Sequence, residues 1–140
     1  MAQSQDKPAG TPALFEYVMR LADNALIVSH RLQEWCAHAP ELEEDIALAN
    51  IGLDHLGQAR ALYTYAGKIE GKSRDEDDLA FLREERDYHN VLLVEQPNGD
   101  FAQTMMRQFL FDAFNLSFMD ALAESKDEEL AAIAAKSVKE

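Results

Sequence analysis

The amino-acid sequence predicts an all-α protein, an antiparallel bundle of long helices. Apolar residues recur at alternating four- and three-residue steps over long segments, which is typical of helices packed nearly parallel to a neighbour. The one strand-like run, Val91–Val94, has no second strand segment with which to pair. The chain has 140 residues, the usual length of one domain, and 47% of them are hydrophobic, enough to build a core.

The first predicted helix spans about residues 12–37 and follows a polar leader, residues 1–11, that we expect to be disordered. Thr11 is a suitable N-cap, and Pro12 is favoured at the first helical position. The helix has an unbroken apolar seam: Leu14, Val18, Leu21, Ala25, Val28, Leu32 and Trp35. Because proline disfavours helix at the residue before it, Pro40 predicts a tight turn at 38–40 and an antiparallel second helix.

The second predicted helix spans about residues 41–67. Its first turn is rich in acidic residues, as the helix dipole favours. Its own apolar seam is Leu42, Ile46, Ala49, Leu53 and Leu56. Gly67, Gly71 and the charged run 72–78 then predict a solvated loop.

The remaining elements complete one helical domain, residues 12–140. We predict a short helix at 79–88, and a helix end followed by a loop at 90–99. Asp100 is positioned to cap a third long helix of about 101–125. An Ala-rich fourth helix is predicted to begin at 125–127 and to continue to Glu140.

The charge of the chain argues against several classes of partner. A net charge of −13 repels phosphate backbones and anionic headgroups, so we expect neither nucleic acid nor membrane as a partner. No apolar run approaches the ~20 residues of a membrane span, and the first ten residues lack the order of a signal peptide. Cys36 is the single cysteine, which fits a reducing compartment, so we expect a cytoplasmic protein. We interpret Cys36, beside Trp35, as a packing residue.

Polar residues interrupt the apolar faces of two predicted helices. Gln108, Asp112 and Asn115 form one stripe on helix 101–125, and the phenylalanines around them indicate that much of this helix is enclosed. The alternative interpretation of the stripe is a solvent-facing side. On the second helix, Asp54, His55 and Gln58 flank the seam. In an antiparallel hairpin that turns near Ala39, residue 55 of the second helix lies level with about Asp23 and Asn24 of the first. We therefore expect the polar groups of the two helices at one height in the bundle.

The histidine spacing argues against a metal centre. Four-helix di-iron proteins take one Glu from each of two helices and a Glu-x-x-His motif from each of the other two. None of the four histidines has a carboxylate three residues before it: His30, His38, His55 and His89. We therefore predict no metal, no cofactor and no catalytic residues. His55 alone is interpreted as a buried, hydrogen-bonded histidine, and the pair Glu85 and His89 as an exposed helix face more readily than as two ligands.

Several long segments carry a family resemblance. Residues 30–43 (HRLQEWCAHAPELE), 48–60 (LANIGLDHLGQAR) and 92–99 (LLVEQPNG) resemble the C-subunit family of the bacterial phenylacetyl-CoA epoxidases, and the match covers nearly everything after residue 11. The resemblance implies a ferritin-like fold and a non-catalytic subunit. Its implied partners are the related A subunit and the other epoxidase subunits. The A subunit carries a di-iron centre and inserts an oxygen atom across the aromatic ring of the substrate.

The resemblance also locates a degenerate di-iron position in this chain. His55 and Gln58 fall where catalytic relatives have the Glu and His of Glu-x-x-His. Together with the polar residues that helix spacing places at this height, the predicted degenerate position comprises Asn24, Asp54, His55, Gln58, Asp112 and Asn115.

Members of the family continue beyond the position of Glu140, so the resemblance implies an N-terminal portion of a bundle that is incomplete in this chain. We expect such a chain to self-associate when it is alone. Two alternative functions stay open. One is a stand-alone helical binding module that contacts a CoA group through Arg60, Lys68 or Lys72. The other is a di-iron oxygenase in its own right, which would need at least two bridging carboxylates and two histidines at core spacing.

Overall fold

The computed structural model of the protein describes residues 11–140, except for the side chain of Thr11. The leader predicted at 1–11 and the capping role of Thr11 therefore lie outside the described residues. In the described part the chain forms six α-helices and one 3₁₀ turn and contains no strand, which confirms the all-α class. No helix within residues 11–140 is both long enough and apolar enough to cross a bilayer.

Helices α1 (Thr11–Gln33) and α2 (Leu42–Glu70) form the antiparallel hairpin that the sequence predicts. The Ser29 hydroxyl donates to the Gly52 carbonyl at 2.6 Å, and the Gln33 amide donates to the Ala49 carbonyl at 3.2 Å. A Cβ at position 52 would approach Nε2 of Gln33 to 2.5 Å, so glycine leaves room for the Gln33 amide to reach the Ala49 carbonyl. α1 ends four residues before the predicted boundary, because the chain turns over residues 34–39 with Ala37 in the left-handed region at φ 65°.

α2 buries a different face from the one that its seam predicts. Leu42, Ile46, Leu53 and Leu56 are all exposed. The residues of α2 that are buried lie on another side of the helix: Leu48, Gly52, His55, Gln58, Ala59, Leu62, Tyr63 and Ala66. The prediction of the seam was wrong because α2 has apolar residues on two faces, and α1 covers only one of them.

A buried ion pair fixes the segment that follows α2. Asp23, which is fully buried on α1, accepts hydrogen bonds from the Tyr63 hydroxyl at 2.6 Å and from the Arg83 guanidinium at 2.5 Å. It also accepts from the backbone N–H of His89 at 2.8 Å. Burial, followed by the Asp23 charge, raises the pKa of Tyr63, so this hydroxyl remains a donor. One carboxylate on α1 therefore holds α2 and the segment 83–89 together.

The short elements between the long helices differ from the predicted helix at 79–88. α3 spans Glu76–Phe81 and is capped by Asp75, whose side chain accepts from the Asp78 N–H at 2.9 Å. A 3₁₀ turn follows at Glu85–Asp87. The helix stops early because Arg83 turns inward to reach Asp23. α4 is a single turn, Leu92–Glu95, within the predicted loop.

The third long helix, α5, spans Phe101–Leu122, and Asp100 caps it as predicted, accepting from the Gln103 N–H at 2.8 Å. α6 spans Glu128–Ser137 and packs against α2 and α5. The larger core cluster lies between α1 and α2, while a smaller one joins Val28, Val94 and Phe111. The expectation that phenylalanines enclose α5 was wrong for Phe109 and Phe114, which are exposed because no described helix covers that side.

We predict that the Asp23–Arg83 pair is essential for stability. Asp23→Asn should lower the free energy of unfolding by about 3–5 kcal/mol, because it leaves a guanidinium without its counter-charge in a site where both side chains are at most 8% exposed. Urea unfolding measures this change. Glu16→Gln is the control, since its pair with Arg20 is exposed and should contribute about 0–1 kcal/mol. Equal effects of the two substitutions would contradict the prediction.

We also predict that the chain alone self-associates at micromolar concentration, because large apolar side chains are exposed on both α2 and α5. Sedimentation velocity measures the association. Leu53→Ser should weaken it, whereas Asn50→Ser, at an exposed polar position of the same helix, should not. A cooperatively melting monomer for the unmodified chain would show that these faces need no cover.

Candidate functional site

Polar side chains from α2 and α5 meet where the sequence predicts the degenerate site. His55 and Gln58 lie one turn apart on α2, and Gln108, Asp112 and Asn115 occupy successive turns of α5. Residues three or four positions apart share one face of a helix, so each helix presents its polar group as a stripe. The two stripes face each other, which rules out the interpretation of the α5 stripe as a purely solvent-facing side.

His55, Asp112 and Gln108 form the central hydrogen-bonded group. The Nε2 atom of His55 lies 3.0 Å from Oδ1 of Asp112, and the Gln108 amide donates to Oδ2 of Asp112 at 2.9 Å. The His55 side chain is only 5% exposed, whereas that of Asp112 is 42% exposed. The ring of Phe111 packs edge-on against the imidazole at 5.5 Å between centroids. A buried imidazole is thus held by a carboxylate that still reaches solvent.

The acceptor character of Asp112 assigns the tautomer of His55. Because an ionised carboxylate only accepts, the Nε2 atom carries the proton that it donates to Oδ1. The Gln108 nitrogen, 3.1 Å from the same Nε2 atom, then donates to the carboxylate and not to the ring. Within residues 11–140, Nδ1 of His55 and Oε1 of Gln108 are buried without a partner. Two acceptors of the group are therefore unsatisfied.

A second pair extends the group toward α6. The Asn115 amide donates to Oε1 of Gln58 at 3.4 Å, a long hydrogen bond. The pair His55 and Asp112 and the pair Gln58 and Asn115 both line a groove of about 640 Å³ between α2, α5 and the end of α6. Its rim is apolar and includes Ile51, Phe109 and Leu116, two of which are exposed.

Not every predicted residue joins the group. Asp54 lines the groove but makes no side-chain hydrogen bond within the described residues. Asn24 lies elsewhere, because its Oδ1 atom accepts from the Val91 N–H at 2.7 Å. Gln108, which the sequence places in the α5 stripe but not at the degenerate position, is instead a central member. The predicted height across the turn was off by about three residues: Gly52 lies opposite Ser29, so residue 55 is level with about residue 26 and not with Asp23.

The donor set of this group does not fit a di-iron centre. In residues 11–140, no three His, Cys, Asp or Glu side chains converge as they would to hold a metal ion. At the positions that would supply ligands, two residues are carboxamides, Gln58 and Asn115, which are neutral and weaker ligands than carboxylates. His55 could offer only its Nδ1 atom, and both oxygens of the Asp112 carboxylate are already bound, by His55 and by Gln108. A di-iron pair requires bridging carboxylates from facing helices, and the helices that the structure describes do not present them.

The other candidate residues lie apart from one another or on the surface. Glu85 and His89 are both exposed and do not share a helix, since the 3₁₀ turn ends at Asp87. Cys36 is exposed, so its interpretation as a packing residue was wrong. Its neighbour Trp35, in contrast, is partly buried, and the indole N–H of Trp35 donates to the Thr104 hydroxyl at 3.0 Å.

The three basic residues considered for a CoA group are each paired with a carboxylate. Arg60 contacts Glu76 at 3.2 Å, and Lys68 contacts Glu129 at 2.5 Å. Lys72 lies 3.4 Å from Glu70. These cations are exposed and do not converge on one cavity, so the described residues offer no assembled phosphate site.

Comparison with known proteins matches the whole chain, residues 1–140, to the family described as "Phenylacetic acid catabolic protein". The chain is also 58% identical over 127 residues to the C subunit of the 1,2-phenylacetyl-CoA epoxidase of Escherichia coli (strain K12). This match covers 91% of the chain and 51% of the relative, so the chain spans about half the length of the protein it matches. The family resemblance in the sequence is confirmed.

We predict that Asp112 stabilises the fold through His55. Asp112→Ala leaves the buried Nε2–H of His55 without an acceptor, and such a group costs about 1–3 kcal/mol. Thermal and urea unfolding measure the loss. Asp120→Ala is the control on the exposed side of α5 and should change stability by less than about 0.5 kcal/mol. An unchanged melting temperature for Asp112→Ala would argue against the hydrogen bond.

Proposed function

The chain belongs to the phenylacetic acid catabolic protein family, and from this premise we propose that it is a non-catalytic subunit of a phenylacetyl-CoA epoxidase complex. Its role in this proposal is to stabilise and shape a related catalytic subunit that carries the di-iron centre. The complex acts in the aerobic breakdown of phenylacetate in the cytoplasm, and this chain itself needs no cofactor.

One observation carries the non-catalytic part of the proposal. The residues of α2 and α5 at the predicted degenerate position form hydrogen bonds with one another. His55 and Gln108 occupy both oxygens of Asp112, and Asn115 bonds to Gln58. Hydrogen bonds between side chains here take the place of bonds to a metal, and they hold α2 against α5. In this proposal the group stabilises the contact between α2 and α5, and it does not supply the carboxylate and histidine ligands that a di-iron centre needs for oxygen activation.

The exposed apolar faces support the assembly part of the proposal. α2 exposes Leu42, Ile46, Leu53 and Leu56, and α5 exposes a further set along much of its length. Apolar patches larger than a few hundred Å² are uncommon on soluble monomers and mark interfaces. In this proposal these faces are covered in the assembled complex, by another subunit or by the further length that the relative has beyond the match.

The stand-alone binding module is the weaker candidate. Its basic residues, Arg60, Lys68 and Lys72, are all engaged with carboxylates. A CoA phosphate would have to displace these partners on a chain with a net charge of −13. The two candidates differ in one measurable property, which is stable assembly with a second ferritin-like subunit.

Co-expression with the catalytic A subunit of a phenylacetyl-CoA epoxidase tests the proposal. We expect the two chains to co-elute, and epoxidation of phenylacetyl-CoA to be higher with this chain than without it. The double variant His55→Ala, Asp112→Ala should still support epoxidation wherever it remains folded, because neither residue has a chemical role. Absence of a complex, together with unchanged epoxidation, would refute the proposal.

We predict that the chain binds no iron. After anaerobic loading with ferrous iron and removal of the excess, metal analysis should find far less than one iron per chain, while the A subunit under the same conditions serves as the positive control. Two irons per chain with a visible absorption band of a bridged iron pair would contradict the prediction and favour the oxygenase alternative.

A further inference from the structure

The pair Asn98 and Gly99 lies in the short segment between α4 and α5. Asparagine is a chemically labile residue. It is most labile before glycine, because the backbone nitrogen of a residue without a side chain reaches the asparagine Cγ atom with the least hindrance. Asn98 is the one asparagine of the chain that precedes a glycine, and the others precede larger residues: Asn24, Asn50, Asn90 and Asn115. The pair is therefore a candidate site of spontaneous modification.

The fold requires a glycine at position 99. Gly99 has a φ of 59°, in the left-handed region that glycine adopts without steric cost. A Cβ at this position would lie 1.9 Å from Oε1 of Gln103 and 3.2 Å from the Cβ of Gln103. The next residue, Asp100, caps α5. The turn into α5 thus depends on the same glycine that makes Asn98 labile.

The Asn98 residue links the end of α1 to the start of α5. Its Nδ2 atom donates to the Arg31 carbonyl and to Oε2 of Glu34, both at 2.9 Å. Its backbone carbonyl accepts from the Thr104 hydroxyl at 2.7 Å, and Thr104 is fully buried on α5. We call these three hydrogen bonds the α1–α5 joint.

We propose that Asn98 is a deamidation site that the α1–α5 joint protects, so that deamidation occurs when the joint opens and then prevents it from re-forming. In the reaction the Gly99 nitrogen loses its proton to solvent and forms a bond to Cγ of Asn98. The bond between Cγ and Nδ2 breaks, and Nδ2 takes up a proton and leaves as ammonia. Water then opens the cyclic imide at either carbonyl, which yields aspartate or isoaspartate at this position.

The joint slows this reaction in two ways. Nδ2 is the leaving group, and it is held by two acceptors, which it must release when it departs. Within residues 11–140, Oδ1 of Asn98 is buried and has no donor. The negative charge that develops on this oxygen during the attack is therefore not stabilised. Local opening, which proteins undergo without complete unfolding, removes both obstacles.

Either product is unable to re-form the joint. A carboxylate at position 98 has no N–H to donate to the Arg31 carbonyl, and it brings a second negative charge next to Glu34. Isoaspartate also adds a methylene group to the backbone, which displaces the carbonyl that Thr104 binds. Deamidation thus loosens the attachment of α5 to α1. The inference is independent of the proposed function, because the joint lies entirely within the described residues.

Peptide mapping by mass spectrometry, after incubation of the chain at mildly alkaline pH, measures the conversion of each asparagine. The peptide acetyl-Gln-Pro-Asn-Gly-Asp-amide in the same buffer gives the rate without the fold. We expect Asn98 to convert at least tenfold more slowly in the chain than in the peptide, yet faster than Asn50, which is exposed but precedes Ile51. Equal rates in chain and peptide, or conversion of Asn98 no faster than that of Asn50, would overturn the proposal.

A variant of the joint tests the protection directly. Glu34→Ala removes one acceptor of the Asn98 amide at an exposed position, so the chain should stay folded and Asn98 should convert at least threefold faster. Glu43→Ala, which removes an exposed carboxylate at the start of α2, is the control and should leave the rate unchanged. An unchanged rate for a folded Glu34→Ala variant would overturn the proposal.

A mimic of one product tests the consequence. Asn98→Asp should lower the melting temperature by several degrees, because the joint loses two hydrogen bonds. Asn50→Asp makes the same change of charge at an exposed position of α2 and should leave the melting temperature unchanged. Equal melting temperatures of the two variants would show that α5 stays attached after deamidation and would overturn the proposal.

Discussion

The Asp23 carboxylate is the constraint on which the arrangement of the helices depends. It is buried in the middle of α1, where an unpaired charge would be very costly, and so the chain must bring donors to it. Tyr63 reaches it from α2, and Arg83 and the His89 N–H reach it from the connecting segment. The next residue, Asn24, then binds the Val91 N–H. These contacts fix the path into α4, where Val94 packs with Val28 and Phe111 and thereby positions α5.

Polar contacts take over where apolar packing is thin. α1 and α2 share a continuous core, but α5 contributes mainly Phe111 and Met119 to the buried set of apolar residues. Between α2 and α5, the hydrogen bonds from His55 to Asp112 and from Asn115 to Gln58 set the register. Such contacts are directional, so they specify one relative position of two helices where apolar contacts would allow several. The polar side chains of α2 and α5 therefore fix the two helices relative to one another.

Exposed apolar surface and a buried cation occur on the same helix. α5 has Arg107 buried at its base and Met106, Leu110 and Phe114 exposed along one stripe. Within residues 11–140, the Nε and Nη2 atoms of Arg107 have no hydrogen-bond partner. Both features would cost stability if they stayed uncovered. Cover that excludes water from this side of α5 would strengthen any ion pair that Arg107 forms there.

The sequence alone determined the helices and the residues that would form polar pairs. Its periodicity, proline and capping residues are local signals, so the long helices begin within a residue of the predicted positions, and Asp100 caps α5 as expected. The sequence also predicted that His55, Gln58, Asp112 and Asn115 lie together, and they do. Only the tertiary structure decided which face of α2 is buried and that Asn24 binds Val91 instead of joining the site. It also decided that Arg107 is buried without pairing to a carboxylate of the described residues. The physical reason is that burial and pairing depend on which neighbouring element covers a side chain. A periodic pattern shows that one face of a helix is apolar, but it does not show which other element packs against that face.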